Sequence, residues 1–161
     1  MSDTLDILEN ITYNELNEGD SATFTRTLTE DELVLFAAVS GDVNPVHLDS
    51  EFAADTLFKE RIAHGMWSGS LISAALATVM PGPGTIYLDQ TLSFKRPVKL
   101  DDTLTVKLTV SEKRAKNRVT LACDVRNQNG DQVVVGEAKV IAPTEKVSLQ
   151  KPRLPKITIE G

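Results

Sequence analysis

The spacing of apolar and polar positions divides the 161 residues into a largely helical first half and a strand-rich second half. "SATFTRTLT" (21–29) alternates small or apolar residues with polar ones, the period of a half-buried strand. "TEDELVLFAAVSG" then changes period. Leu33, Phe36, Ala37 and Ser40 recur at helical spacing, and Val34 and Val39 widen the apolar face. Thr29 and Glu32 have the spacing of a capping box at its start, and Gly41 is placed to end it. "SEFAADTLF" (50–58) predicts a short helix with Ser50 as cap. From Gly65 to Met80 the chain is apolar or small on nearly every face, and no charge occurs before the "PGPG" at 81–84. That predicts a helix buried all round.

Beyond this helix the period returns to two. "TIYLDQTLSFKRPV" leads into "DTLTVKLTVSEK", where Leu104, Val106, Leu108 and Val110 alternate, and "RVTLACDVRN", where Val119, Leu121, Cys123 and Val125 do the same. Asn129–Gly130 marks a hairpin turn before "QVVVGEAKVIA". Helices followed by consecutive antiparallel strands predict an α+β domain over residues 1–142, with one long helix against one curved sheet. From Pro143 to Gly161 three prolines, mixed charge and little period read as a tail or linker.

Composition narrows the class. Hydrophobic content of 41% and charged content of 25% are ordinary for a globular domain. A net charge of −6 argues against a nucleic-acid partner, which needs a basic face. The single cysteine, Cys123, cannot form an internal disulfide and fits a reducing compartment. "MSDTLDILEN" lacks the basic and apolar regions of a signal peptide, and no apolar run reaches the ~18 residues of a membrane span. The expectation is a cytoplasmic protein with no membrane segment.

The candidate chemistry lies in "SGDVNPVHLD" (40–49), which places two carboxylates, a carboxamide and one of only two histidines behind a helix that Pro45 cannot continue. A calcium loop of EF-hand type fails for want of glycine at the sixth position and glutamate at the twelfth. Zinc lacks HExxH and any cysteine pair, so no metal is expected. No GxSxG elbow, Walker A run or GxGxxG is present. Two readings remain. Asp42 and Asn44 cap backbone amides in an Asx-turn, or Asp42 and His47 form an acid–base pair turned into one cleft. "IAHGMW" supplies a second polar focus, because His64 and Gly65 open the long helix, where unpaired N–H groups could stabilise an anionic oxygen. Together the two foci suit proton transfer next to a carbonyl.

These stretches, with "PGPGTIYLDQTLSFKRPV" and "DDTLTV", resemble the MaoC-like (R)-specific enoyl-CoA hydratases from about residue 12 to residue 142, and the motif S-G-D-x-N-P-x-H-x-D is complete. The resemblance implies a hot-dog fold, with the sheet wrapped around the central helix, and a homodimer. It implies reversible hydration of trans-2-enoyl-CoA to (R)-3-hydroxyacyl-CoA, with no cofactor beyond the coenzyme A of the substrate. Asp42 would activate water for C3, His47 would protonate C2, Asn44 would orient the pair, and the N–H of Gly65 would bind the thioester oxygen. Ser73 matches a family serine near the pair. Trp67, where many relatives carry a smaller aliphatic residue, and Leu76 would line the acyl tunnel, Trp67 favouring short chains such as crotonyl. His64 reads as holding the loop against the helix start. Lys95–Arg96 and "KRAKNR" (113–118) are candidates for the phosphates of coenzyme A. The junction after "VIAPTEKV" resembles that of proteins fusing this domain to a phosphate acyltransferase, which would make such a domain a fused or separate partner. The alternatives are a hot-dog acyl-CoA thioesterase or acyl-carrier-protein dehydratase, and a non-catalytic acyl-CoA-binding or docking module.

Overall fold

The computed structural model describes residues 6–161. Residues 1–5, the first half of the stretch read as lacking a leader, lie outside the described residues. In chain order the elements are β1 (Ile7–Glu9), β2 (Ser21–Thr27), α1 (Glu30–Ser40), α2 (Pro45–Leu48), α3 (Ser50–Ala54), α4 (Gly65–Thr78), β3 (Ile86–Phe94), β4 (Thr103–Arg114), β5 (Arg118–Arg126), β6 (Gln132–Ile141) and β7 (Ser148–Gln150).

Local chemistry sets most of these bounds. The Thr29 hydroxyl accepts the Glu32 N–H at 3.2 Å, so α1 is capped as expected. The return half of the box is missing, because the Glu32 carboxylate turns to Arg26 on β2. Gly41 ends α1 at φ +79°, with its N–H donating to Ala37 O at 2.9 Å. Helix α3 is capped one residue earlier than expected, by Asp49, whose Oδ1 accepts the N–H groups of Glu51 and Phe52. Ser50 is instead its first residue, and a carboxylate at a helix start gains from the dipole as well as the amides.

Five antiparallel strands form the main sheet in the order β2-β4-β5-β6-β3. The clean alternation along β4 and β5 buries Leu104, Val106, Leu108, Val110, Val119, Leu121, Cys123 and Val125 on one face. They pack with Trp67, Leu71, Ile72, Ala75 and Leu76 of α4, which lies against β4 and β2. Each fully buried aliphatic side chain contributes roughly 1.5–3 kcal/mol. A curved sheet with one long helix on its inner face is the hot-dog arrangement.

Three features depart from the sequence pattern. Helix α4 is not buried all round, since Met66, Ser70 and Ala77 are exposed along one stripe, with Ser73 half-buried among them. Small uncharged residues permit burial of a face but do not supply its cover. The β5–β6 connection is a five-residue loop rather than a tight two-residue turn. In it Asn127 Oδ1 accepts the N–H groups of Asn129 and Asp131, while Gly130 carries the positive φ. The stretch from Pro143 is also not wholly a tail. Strand β7 pairs antiparallel with β1, and the Asn10 carboxamide donates to Pro83 O and Glu145 O while accepting the Val147 N–H. Residues 143–147 and those after Gln150 lack regular structure. Among the described residues no helix is long and apolar enough to cross a membrane.

Candidate active site

Each polar residue of the 40–49 loop has a structural task, and these tasks aim two side chains at each other. Ser40 Oγ donates to Phe36 O at 2.6 Å and accepts the Asp42 N–H at 3.2 Å. Asp42 Oδ1 accepts the Asn44 N–H at 3.1 Å, an Asx-turn that fixes the carboxylate. Asn44 Oδ1 accepts the Val46 N–H and so caps α2, whose first residue is Pro45. The Asx-turn and the paired side chains therefore coexist. One turn of helix later, His47 faces back, and its Nε2 lies 3.6 Å from Asp42 Oδ2.

His47 is buried while half of the Asp42 side chain, 49%, is open to solvent. His47 Nδ1 lies 2.7 Å from Ile62 O, and a carbonyl can only accept, so Nδ1 carries a hydrogen. Nε2 is thereby the nitrogen free for chemistry, and it is the one facing Asp42. His64 completes the group. Its Nε2–H donates to the main-chain O of Asp42 at 2.9 Å, the tie between loop and helix start that the sequence suggested. Its ring stacks on His47 at 3.8 Å between centroids, 26° apart, and Phe36 tilts against its other side at 5.0 Å.

Asp42, His47 and His64 offer ligand atoms within 4.8 Å of one another, the spacing of a metal cluster. One nitrogen of each histidine is already committed to a carbonyl. The two rings lie in nearly parallel planes 3.8 Å apart, so no ion can sit in the plane of both at a ~2 Å bond. The arrangement suits proton transfer better than ligation.

Gly65 follows His64 directly and opens α4, whose first N–H groups have no helical acceptor. It borders a cavity of about 300 Å³ lined also by Ser68, Phe94, Lys95 and Arg96. Of the two basic candidates it is therefore Lys95–Arg96 that stands beside the helix start. In "KRAKNR", Lys113 lies over the Tyr13 ring and donates to Leu16 O, and Arg114 pairs with Glu112. Ser73 is not against the pair. It lines a separate cleft with Met66, Tyr87 and Gln90, and Phe36, which tilts against His64, borders the same cleft. Trp67 is buried and edges a groove with Phe24, Phe36 and Leu71. Leu76 is fully buried in the core. Sequence reasoning missed the stacking of His64 on His47, although two histidines flanking two helix starts in an otherwise histidine-free chain are a signal that could prompt it.

Residues 14–142 match the family described as MaoC like domain. The chain belongs to the MaoC-like family. Within it, the chain is 41% identical over 131 residues to a protein of Rhodospirillum rubrum named (R)-specific enoyl-CoA hydratase, covering 81% of this chain and 91% of the relative. It is also 41% identical over 138 residues to a 3-hydroxybutyryl-CoA dehydratase of Methylorubrum extorquens, covering 83% and 85%. Among solved structures, R-hydratase PhaJ1 from Pseudomonas aeruginosa in the unliganded form superposes with a TM-score of 0.93 at 61% identity, covering 96% of this chain and 99% of that one. This MaoC-like chain thus shares sequence and shape with proteins named for adding or removing water at acyl-CoA.

Proposed function

We propose that this MaoC-like protein hydrates short trans-2-enoyl-CoA thioesters to (R)-3-hydroxyacyl-CoA, and catalyses the reverse dehydration. The observation that carries this reading is the Asp42–His47 pair, with Oδ2 and Nε2 3.6 Å apart beside the start of α4. That gap is too long for a direct hydrogen bond, yet it lets both atoms contact one water at ~2.8 Å each. The water donates to ionised Asp42 and accepts from protonated His47. Its oxygen attacks C3 while its proton passes to Asp42. The double-bond electrons move toward the thioester, whose oxygen takes up negative charge at the Gly65 N–H. His47 Nε2 then gives its proton to C2 on the same face, a syn addition. Asp42 returns its proton to Nε2 across the 3.6 Å gap. Water supplies every atom added, and this reading assigns no step to a metal or cofactor.

The (R) configuration and short chain follow the names of the relatives, and a Trp67 that narrows the acyl path is in keeping with them. Lys95 and Arg96 offset the chain's negative charge where the phosphates of coenzyme A would approach. A homodimer is also part of this reading. Edge strand β3 exposes Ile86, Tyr87, Leu88 and Phe94 beside the open stripe of α4, and an apolar unpaired edge is a template for another strand. Pairing with β3 of a second copy would continue the sheet and cover that stripe; sedimentation showing a monomer at micromolar concentration would reject it. The reading places the protein in the cytoplasm.

The enzyme is tested by following loss of the enoyl-thioester absorbance of crotonyl-CoA and resolving the product on a chiral column. Formation of (R)-3-hydroxybutyryl-CoA is expected. Release of free coenzyme A thiol would favour a thioesterase, and tight binding without turnover would favour a docking module.

A further inference from the structure

We propose that His64 is a positioning residue for His47, an imidazole held neutral in one tautomer whose ring face supports the protonated His47 used in the reaction. This rests on the hydratase reading above. His64 is 3% exposed and precedes α4, yet its side chain does not cap the helix. Its Nε2 meets the Asp42 carbonyl at 2.9 Å, and that oxygen can only accept, so the hydrogen is on Nε2. Nδ1 is buried without a hydrogen-bond partner among the described residues. A proton there would bury an unpaired N–H and set a second positive charge against His47, 3.8 Å away. Both costs vanish if the ring stays neutral.

A neutral ring is what His47 needs. When His47 carries its catalytic proton, the charges and rings facing it are the Asp42 carboxylate at 3.6 Å and the His64 face at 3.8 Å, with Ile62 O taking Nδ1–H. Phe36 backs His64 from the far side. A cation over an aromatic face is stabilised by the electron density of the ring. The same residue pins the Asp42 backbone, so it sets the separation of the two catalytic groups. Histidine alone does both tasks: phenylalanine would keep the stacked face and lose the donor, and glutamine could keep the donor but not the face.

The first test is long-range ¹H–¹⁵N correlation on the full chain labelled at histidine. His64 is expected as the Nε2–H tautomer with Nδ1 unprotonated, at neutral pH. An Nδ1–H or doubly protonated His64 would overturn the proposal. The second test is steady-state kinetics with crotonyl-CoA. His64→Gln is expected to lower kcat about 10-fold or more for the lost face, and His64→Phe about 5-fold for the lost donor. KM should stay within about threefold in both, because His64 acts on the reacting pair rather than on substrate binding. Unchanged kcat in His64→Gln, or a change confined to KM, would overturn it. If neither variant folds, an Nδ1–H or doubly protonated His64 in the parent still overturns the proposal. A parent inert toward crotonyl-CoA would instead defeat the hydratase reading and leave the tautomer result standing.

Discussion

Replacing Gly65 by alanine separates stability from activity at the start of α4. In a helix alanine is favoured over glycine by roughly 0.5–1 kcal/mol, and Gly65 has no positive φ that a side chain would strain. The three atoms nearest the new methyl all belong to the Phe94 ring, with Cε1 at 3.0 Å and Cδ1 at 3.3 Å. Phe94 is 54% exposed, so its ring can turn aside at a cost of similar size to the helix gain. Net stability should stay within about 1 kcal/mol of the parent, a shift in melting midpoint of roughly 2–4 °C for a chain of this length. The methyl nevertheless enters the cavity beside the N–H proposed to receive the thioester oxygen, where a donor works only at ~2.7–3.1 Å. Losing one such donor costs about 10²–10³-fold. The assay is kcat/KM on crotonyl-CoA beside a thermal melt. A variant with a parent-like melt and kcat/KM reduced about 100-fold is expected. Parent-like kcat/KM would refute the placement of the thioester oxygen, and a collapse of the melt would refute the packing estimate.

Other expectations follow from single contacts. Gly136→Ala places a Cβ 1.9 Å from Thr91 O on the paired strand β3, a backbone clash no rotamer relieves, so urea melts should show a loss of about 3 kcal/mol; a loss under about 1 kcal/mol would show that the strand can shift freely. Partial burial of a side chain still 39% exposed, and then the charge of the nearby Cys123 thiolate, push the Tyr87 hydroxyl up to about 12. Between about 10 and about 12 the unfolded chain loses that proton first, so Tyr87 makes stability fall as pH rises through this window. Tyrosinate absorbance should therefore contain a late step that Tyr87→Phe removes, and a titration unchanged by that substitution would contradict it. Arg96→Ala should raise KM for crotonyl-CoA about 3–10-fold at low ionic strength, with the difference shrinking as salt screens the charge. KM equal to the parent's would move the phosphates elsewhere.

What the sequence made legible was what local periodicity and caps control. Strands β4 and β5 were readable because Leu104 to Val110 and Val119 to Val125 alternate without a break, and α1 because Thr29 and Gly41 punctuate it. The pairing of β7 with β1 was not, since three residues carry no period and their partner lies some 140 positions away. Nor was the crossover that sends β3 to the far side of β6, which depends on tertiary packing rather than on any residue between them. At the site, the 40–49 motif named Asp42, Asn44 and His47, which the fold brings into one turn, and "IAHGMW" named Gly65. The cap expected at Ser50 falls instead on Asp49, an equally good cap one residue earlier that local pattern does not distinguish. The His47–His64 stack was hidden for a different reason: their 17-residue separation spans a bend whose geometry no pattern encodes. Ser73 and Trp67 were named from the family resemblance and Leu76 beside them on the same helix, and the helix spreads the three over a cleft, a groove and the core.

The pair at the centre of the account is tested most directly by turnover of crotonyl-CoA with Asp42→Asn. Asparagine keeps an Oδ1 to accept the Asn44 N–H, so the loop should stand and the melt should match the parent. Without a carboxylate to take the proton of water, kcat should fall about 10²–10⁴-fold with KM little changed. A variant that folds and retains a tenth or more of the parent kcat would show that Asp42 is not the base, and that the water is activated elsewhere.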